Sequence, residues 1–249
     1  MISQSKLNYM PQNVRARLKG FWGRRVRWQR WFLGILGCFI AWPILMTLVY
    51  GVLPPPVSNL MLSRLISGNG IHKQWMNLDQ MSPNLARAVV SSEDARFCGH
   101  NGVDWVEFQD AFGATFEDGE APSRGASTIS MQTAKNMFLW DGRGSGIRKV
   151  FEIPTAYWMD FIWTKHRMLE VYLNIVEWAP GIYGAEAASQ YHFKKSASQL
   201  TKREAALLAA VLPNPIKRNA GKPSRGVKIV ANSIQGRMND IDAYLTCIH

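Results

Sequence analysis

The acidic pair Glu93-Asp94, with His100 close behind it, is the part of the sequence whose residue types and spacing point most directly to chemistry. Upstream, Leu85 and Val89 recur at helical spacing, and Glu93 continues the same stripe. A carboxylate on the core-facing side of a helix is partly desolvated, which raises its pKa and suits it to act as a base or acid near neutral pH. Glu93 is therefore the candidate catalytic residue, against the alternative of a buried structural carboxylate, while Asp94 is expected to point elsewhere.

A second group of charged residues combines four cations with another carboxylate. It consists of Lys135, Arg143, Arg148, Lys149 and Glu152. Since Arg148 and Glu152 are four residues apart, a surface salt bridge on a helix is the simplest interpretation. Several cations near a carboxylate are also what a diphosphate leaving group requires, because guanidinium and ammonium groups stabilise its oxyanions. Two acids and a set of cations together favour glycosyl transfer.

Residues 119–129 predict a flexible loop that ends in hydroxyl side chains just before a helix. Ser127 and Thr128 are suited to bind an anionic or sugar ligand at the start of that helix. The alternative is that they only cap it. The loop is a candidate substrate-clasping segment.

Helical patterns dominate the chain and position these residues. Helices are predicted over residues 83–95, 130–140, 148–178 and 202–212, with no hairpin and no internal repeat. Pro83 stands at a first helical position, and Thr201 with Glu204 forms a capping box, so Glu204 is a cap rather than a catalyst. The fold class expected from the pattern is mainly α.

The net charge of +11 belongs mainly to the amino-terminal arm. Residues 1–31 hold eight Lys and Arg and no acid, and the remaining 21 basic and 18 acidic residues leave the rest of the chain with +3. Residues 32–53 carry no charge and would span about 33 Å as a helix, enough to cross a bilayer. By the positive-inside rule the amino terminus is cytoplasmic and the body exported.

A signal peptide is the alternative to this membrane anchor, and nucleic-acid binding is the alternative function for the basic arm. A cleavable signal peptide is disfavoured because the apolar run exceeds roughly 7–15 residues and lacks a small-x-small cleavage site. A nucleic-acid binder is disfavoured because the anchor separates the basic arm from the body. The predicted organisation is a basic arm over 1–31, a transmembrane helix over 32–53, a linker with a short amphipathic piece over 54–75, and a folded domain over 76–249.

Three cysteines are present, at Cys38, Cys98 and Cys247, and their spacing predicts no metal site. An exported compartment permits a disulfide between Cys98 and Cys247. Two free thiols are at least as consistent with the sequence.

Five segments, in order across residues 93–210, resemble the family-51 glycosyltransferases, the peptidoglycan glycosyltransferases that polymerise lipid II. The segments are Glu93-Asp94-x-x-Phe97-x-x-His100-x-Gly102-Val103-Asp104, Gly125-Ala126-Ser127-Thr128-Ile129-Ser130-x-Gln132, Arg148-Lys149-x-x-Glu152, Lys165-x-x-Met168-Leu169-Glu170-x-Tyr172-Leu173-Asn174 and Arg203-Glu204-Ala205-Ala206-x-Leu208-Ala209-Ala210. The single-domain length is similar to the monofunctional branch of that family.

The resemblance implies a lysozyme-like head with a smaller membrane-proximal lobe, and it implies an inverting transfer between two lipid-linked disaccharides. The acceptor 4-hydroxyl attacks C1 of the donor glycan and a polyprenyl diphosphate leaves. Glu93 would be the general base, and Glu152 a second catalytic carboxylate that assists near the diphosphate. The remaining roles carried over are those of substrate-binding residues: Ser127, Thr128, Gln132, Lys135, Arg143, Arg148 and Lys149. The last two segments look mainly structural.

The same resemblance implies the surroundings of the enzyme. Its partners would be lipid II, the growing lipid-linked glycan and membrane lipid, with cell-division or elongation proteins as further candidates. The location would be the bacterial inner membrane, with the catalytic domain in the periplasm. No soluble cofactor is expected, and a divalent cation, Mg²⁺ or Mn²⁺, at the diphosphate is left open.

Three positions depart from the family pattern. Met131 replaces the first of two glutamines, so one polar contact in the cleft is expected to be lost. An extra residue near Gly144 weakens the correspondence at Arg143, and Pro154 predicts a kink or break after Glu152. These departures keep two alternatives open, a lysozyme-like hydrolase and a membrane-anchored scaffold with a decayed site.

Aromatic residues at near-helical spacing predict one further feature. They are Trp105, Phe108, Phe112 and Phe116. A buried core stripe is the more common meaning of such a pattern, and an apolar face in the lipid headgroup region is the alternative.

Overall fold

The computed structural model describes residues 12–110, 127–140 and 146–248. It divides into two units, one ending at Met46 and one beginning at Thr47. The described residues are mainly helical, as the sequence predicts. Arg143, Gly144, Phe112, Phe116 and most of the 119–129 loop lie outside the described residues.

The amino-terminal helix, α1, runs over Gln12–Tyr50 and contains Pro43. Its 23-residue apolar stretch, Trp28–Tyr50, is long enough to cross a bilayer. The predicted span of 32–53 is displaced, because the helix ends at Tyr50 and three prolines follow at 54–56.

Side chains of the second unit hold the backbone where α1 ends. The indole of Trp163 donates to the carbonyl of Thr47 at 2.7 Å. Arg167 donates to the carbonyls of Tyr50 at 3.0 Å and Leu53 at 2.7 Å. The carbonyl of Tyr50 at the helix end and that of Leu53 beyond it thereby gain a donor from Arg167. The carbonyl of Thr47 also accepts the backbone N–H of Gly51 at 2.9 Å, so the indole of Trp163 is its second donor.

Residues 54–75 are more ordered than the predicted linker. Ser58 caps a short helix, α2, over Asn59–Ile66, and a strand, β1, follows at His72–Lys73. The helix corresponds to the amphipathic piece that the sequence indicates, but the segment as a whole belongs to the unit that begins at Thr47. The domain boundary predicted at residue 76 stays a prediction.

Besides α2 and the helical residues 105–110, the described part of the body contains seven helices, α3 to α9. They are Pro83–Glu93, Ile129–Phe138, Gly146–Ile162, Lys165–Ile175, Ala185–Phe193, Lys202–Val211 and Arg225–Arg237. Short 3-10 turns lie at Leu78–Gln80, Phe97–Gly99, Ala197–Gln199 and Ile241–Tyr244.

Helix α6 forms the centre of the core, since every residue from Met168 to Ile175 is buried. Helix α4 packs against α5 and α6, and α8 packs against α3 and α9. The capping box of Thr201 and Glu204 opens α8, which confirms that part of the sequence analysis. This packing brings the carboxyl end of α3 close to α4.

The single helix predicted over 148–178 is wrong, because the structure contains two helices there. Helix α5 ends at Ile162, and the hydroxyl of Thr164 accepts a hydrogen bond from the backbone N–H of Arg167 to cap α6. The buried Trp163 between them is bonded to the carbonyl of Thr47. The Thr164 cap starts a new helix, and the hydrogen bond of Trp163 to Thr47 fixes the residue between the two helices.

The absence of a hairpin is also a wrong prediction. Strand β2, Glu177–Ala179, pairs antiparallel with β3, Ile182–Tyr183, and β1 pairs parallel with β3. Gly181 lies in the turn with φ of +74°. The Pro180-Gly181 dipeptide was the available signal, but its flanking strands are too short to show an alternating pattern.

Pro154 does not break α5, which continues from Gly146 to Ile162. A proline removes the N–H that would bond to the carbonyl four residues earlier, here that of Val150. Val150 is exposed, so water can satisfy that carbonyl. The predicted helix break after Glu152 is therefore wrong, while a kink at Pro154 stays a prediction.

Candidate active site

Glu93 ends α3 and lines a cavity of about 420 Å³. The side chain is half-buried, and burial raises its pKa above the usual value. Gln132 and Lys135 oppose that shift, the first through a hydrogen bond and the second through its charge. A carboxylate that is both accessible and reluctant to ionise is suited to accept a proton from a sugar hydroxyl.

Gln132, on α4, connects Glu93 to the core. Its Nε2 donates to Oε2 of Glu93 at 2.9 Å, and its Oε1 accepts a hydrogen bond from the hydroxyl of Tyr172 at 3.0 Å. Tyr172 is fully buried on α6. The sequence analysis assigned Gln132 to the cleft and missed Tyr172, whose only signal was its place in a motif taken as structural.

The carboxylate of Asp94 is bound by other groups than that of Glu93, although Asp94 also lines the Glu93 cavity. Its two carboxylate oxygens contact the backbone N–H of Ile129 and the imidazole of His100, each at 2.9 Å. A carboxylate at the first residue of a helix satisfies an N–H with no partner inside the helix and opposes the positive end of the helix dipole. Asp94 therefore fixes the start of α4 close to Glu93.

Thr128 acts as a helix cap rather than as a cleft residue. It is buried, accepts the N–H of Met131 at 3.1 Å and donates to the carbonyl of Gly102 at 2.6 Å. The neighbouring Ser127 does line the Glu93 cavity. Met131 is fully buried, so the loss of polarity at that position falls in the core rather than in the cleft.

A second cavity, of about 190 Å³, is lined by three cations and by Glu177, which pairs with one of them, Arg64, at 3.1 Å. Lys135 and Arg148 line it together with Arg64 from the predicted linker, which no local pattern indicated. Gln132 and Pro213 line both cavities, so the cationic side and the Glu93 side are adjacent.

Lys149 and Glu152 lie next to this cleft on α5. The ammonium of Lys149 donates to the hydroxyl of Ser127 at 2.7 Å and lies 3.5 Å from Glu152. Arg148 lies 3.9 Å from the same carboxylate, which is only 2% exposed, so this is not the surface salt bridge that spacing alone suggested. Among the described residues that line the two cavities, Glu152 is not found.

Further cations reach the Glu93 cavity from the carboxyl-terminal part of the chain. Arg218 and Arg237 line it, and the charge of Arg218 lowers the pKa of Glu93. Neither was singled out from the sequence, because the turn after α8 and helix α9 carry no motif that ties them to Glu93.

The divalent cation that the sequence left open at the diphosphate stays a prediction. Across residues 12–110, 127–140 and 146–248, no group of three His, Cys, Asp or Glu side chains comes together to bind one.

The aromatic stripe is described only at its beginning. Trp105 is 44% exposed and stacks edge-on against Phe108 at 5.4 Å. A core position is therefore wrong for Trp105, and the membrane alternative stays a prediction.

A helical body whose cleft places a half-buried carboxylate beside lysine and arginine side chains is typical of a glycosyltransferase with an anionic leaving group. Comparison with known proteins agrees: the family model described as Transglycosylase matches residues 59–239. The chain belongs to this family, as the sequence motifs predicted, and its catalytic domain is lysozyme-like.

Several relatives are similar over most of their length, and each is described as a biosynthetic peptidoglycan transglycosylase. The protein of Rhizobium leguminosarum bv. trifolii is 48% identical over 94% of this chain and 99% of its own. That of Agrobacterium fabrum is 50% identical over 78% and 84%, and that of Brucella suis is 44% identical over 91% and 99%. This chain is accordingly an enzyme of the transglycosylase class.

Proposed function

We propose that this transglycosylase polymerises lipid II into linear peptidoglycan strands, with Glu93 as the general base. The carboxylate takes the proton of the acceptor 4-hydroxyl as that oxygen bonds to C1 of the donor glycan. The bond from C1 to the diphosphate oxygen breaks, the configuration at C1 inverts, and the polyprenyl diphosphate leaves with the electron pair.

The observation that carries this proposal is the adjacency of the two cavities. Glu93 lines one, Lys135 and Arg148 line the other, and Gln132 lies between them. A base on one side and cations on the other match a reaction in which a proton is lost at the acceptor while negative charge develops on the leaving group. A lysozyme-like hydrolase has no need of the cationic side.

The second carboxylate, Glu152, has a supporting role in this proposal. It is buried between Arg148 and Lys149 and so holds the two cations toward the cleft, at a position where Ser127 also contacts Lys149. Arg143 stays a predicted diphosphate ligand. A divalent cation at the diphosphate and protein partners from cell division or elongation also stay predictions.

We further propose that α1 anchors the enzyme in the bacterial inner membrane, with the amino terminus in the cytoplasm and the catalytic domain in the periplasm. The basic arm and the apolar stretch Trp28–Tyr50 support this orientation. The bridge between Cys98 and Cys247 supports it as well, because disulfides persist in exported compartments. Tethering raises the encounter frequency with substrates confined to the same bilayer.

The test is polymerisation of labelled lipid II by the full chain in liposomes. Removal of the base in Glu93→Gln is expected to lower turnover by about 10²- to 10⁴-fold. Glu204→Gln is the matched control, because that carboxylate caps α8 away from the cleft and should leave turnover intact.

Three outcomes would contradict the proposal. Full activity of Glu93→Gln would remove Glu93 as the base. Shortening of preformed glycan without chain growth would identify a hydrolase. No turnover by the unmodified chain, combined with an unchanged cellular effect of Glu93→Gln, would identify a scaffold.

A further inference from the structure

A chain of two hydrogen bonds runs from the core to the candidate base. The hydroxyl of Tyr172 donates to Oε1 of Gln132 at 3.0 Å, and Nε2 of Gln132 donates to Oε2 of Glu93 at 2.9 Å. We propose that Tyr172 is a positioning residue for the transfer reaction, because its buried hydroxyl orients the Gln132 amide so that Glu93 is held as a hydrogen-bond acceptor. This inference rests on the proposed role of Glu93.

Tyr172 is suited to be a permanent donor. Its side chain is fully buried, and burial, reinforced by the charges of Glu93 and Asp94, raises its pKa well above the usual value. The phenol therefore keeps its proton at any working pH. Its described acceptor is Oε1 of Gln132.

The amide of Gln132 is held from three sides. Tyr172 occupies Oε1, while Nε2 donates to Glu93 and, at 3.4 Å, to the carbonyl of Ser127. A reversed amide would turn Oε1 toward two oxygen acceptors, and although Nε2 could then donate to the Tyr172 oxygen, the proton of that hydroxyl would lose its acceptor Oε1. That orientation becomes favourable only when Glu93 is itself protonated and donates.

The arrangement consequently favours the ionised form of Glu93, which is the form that a general base requires. Donation to Oε1 polarises the amide and strengthens the bond that Nε2 makes to the carboxylate. Without the Tyr172 hydroxyl, ionised Glu93 loses this strengthening of its bond to Gln132. Protonated Glu93 loses less, because a protonated carboxyl does not need the amide in this orientation. The pKa of Glu93 should then rise.

Other charged groups also face Glu93 and set its baseline behaviour. They are Asp94 on its own segment, Lys135 from α4, Arg218 after α8, and Glu107 and Arg237 on the wall of the same cavity. Replacement of Tyr172 by Phe changes none of them, so a shift in the pH dependence reports the hydrogen-bond chain.

The experiment is the pH–rate profile of the full chain in liposomes with labelled lipid II, for the unmodified protein and for Tyr172→Phe. The acidic limb is expected to move to higher pH by roughly 0.4–1 unit, the equivalent of one neutral hydrogen bond. The rate on the acidic limb should fall by about 3- to 10-fold, and the rate at the plateau should change much less.

Tyr183→Phe is the matched control, because Tyr183 is also fully buried and its hydroxyl lies 3.5 Å from Glu177 rather than in this chain. It should leave the acidic limb in place. The second comparison is Gln132→Leu with and without Tyr172→Phe. If Tyr172 acts through Gln132, the second substitution adds no further shift.

An acidic limb that stays in place in Tyr172→Phe would overturn the inference, as would shifts that add in the double variant. Should Tyr172→Phe fail to fold, the test rests on Gln132→Leu. If its acidic limb stays in place, Gln132 does not influence Glu93 and Tyr172 cannot act through it. Failure of the proposed function looks different: Glu93→Gln would then keep its activity. If Glu93→Gln loses its activity but Tyr172→Phe has the same pH–rate profile as the unmodified enzyme, only this inference is rejected.

Discussion

Replacement of Cys247 by Ser should destabilise the catalytic domain by up to about 5 kcal/mol. The structure joins Cys98 to Cys247, with Cα atoms 5.6 Å apart and a separation of 149 positions in sequence. In the chain-entropy account, a crosslink that closes a loop of that length restricts the unfolded chain by about 5 kcal/mol, and measured losses for native disulfides run from about 2 to 5 kcal/mol.

The bridge lies close to the site, because Cys98 belongs to the turn Phe97–Gly99 that follows Asp94. The hydrogen bonds of Glu93 to Gln132 do not involve that turn, so the variant should retain turnover at low temperature while losing stability. Urea denaturation of the full chain in detergent measures the loss as a lower midpoint. Cys38→Ser is the control, since Cys38 is a free, exposed cysteine on α1.

Two results would refute this reasoning. The first is a urea midpoint for Cys247→Ser that matches those of Cys38→Ser and the unmodified chain. The second is a titration of the denatured, unreduced protein that finds all three cysteines as free thiols. Either result would restore the interpretation of two free thiols, which the sequence alone left open.

Two further predictions concern the stability of the same region. Because burial raises the pKa of Glu93, its contribution to stability is fully present below the unfolded pKa and is lost as pH rises through the folded one. Glu93→Gln should therefore be more stable than the unmodified chain at neutral pH, an advantage that calorimetry should find absent in acid. Gly102 has φ of +80°, and an added Cβ would lie 2.9 Å from the carbonyl oxygen of Ala156, so Gly102→Ala should cost about 2–4 kcal/mol. Gly99→Ala in the same loop, where the methyl meets no atom within 4 Å, should change urea stability by less than about 0.5 kcal/mol, and equal losses in the two would contradict the steric argument.

Several features could be predicted because the forces behind them act between residues close in sequence. The capping box of Thr201 and Glu204 places a donor and an acceptor three residues apart, so residues close in sequence determine where α8 begins. The apolar stretch before Tyr50 signals a membrane span by composition alone. Glu93 was found because it continues the stripe of buried residues on α3.

Other features depend on residues that are far apart in sequence. Between α5 and α6, the side chain of Trp163 bonds to the carbonyl of Thr47, 116 residues away, in addition to the local cap at Thr164. The pairing of β1 with β3 joins segments that show no pattern alone, since each strand has only two residues. Periodicity reports which face of a helix is buried, but it does not report what that face meets.

The site shows the same division. The sequence by itself determined the family, the anchor, the candidate base Glu93 and the cations Lys135 and Arg148, because each is a residue type in a recognisable local pattern. Only the tertiary structure decided that Glu152 is buried against cations rather than placed on a cavity wall, and that Tyr172 lies behind Gln132. Hydrogen bonds act over about 3 Å, so roles of this kind depend on the packing of α6 against α4, which no single segment encodes.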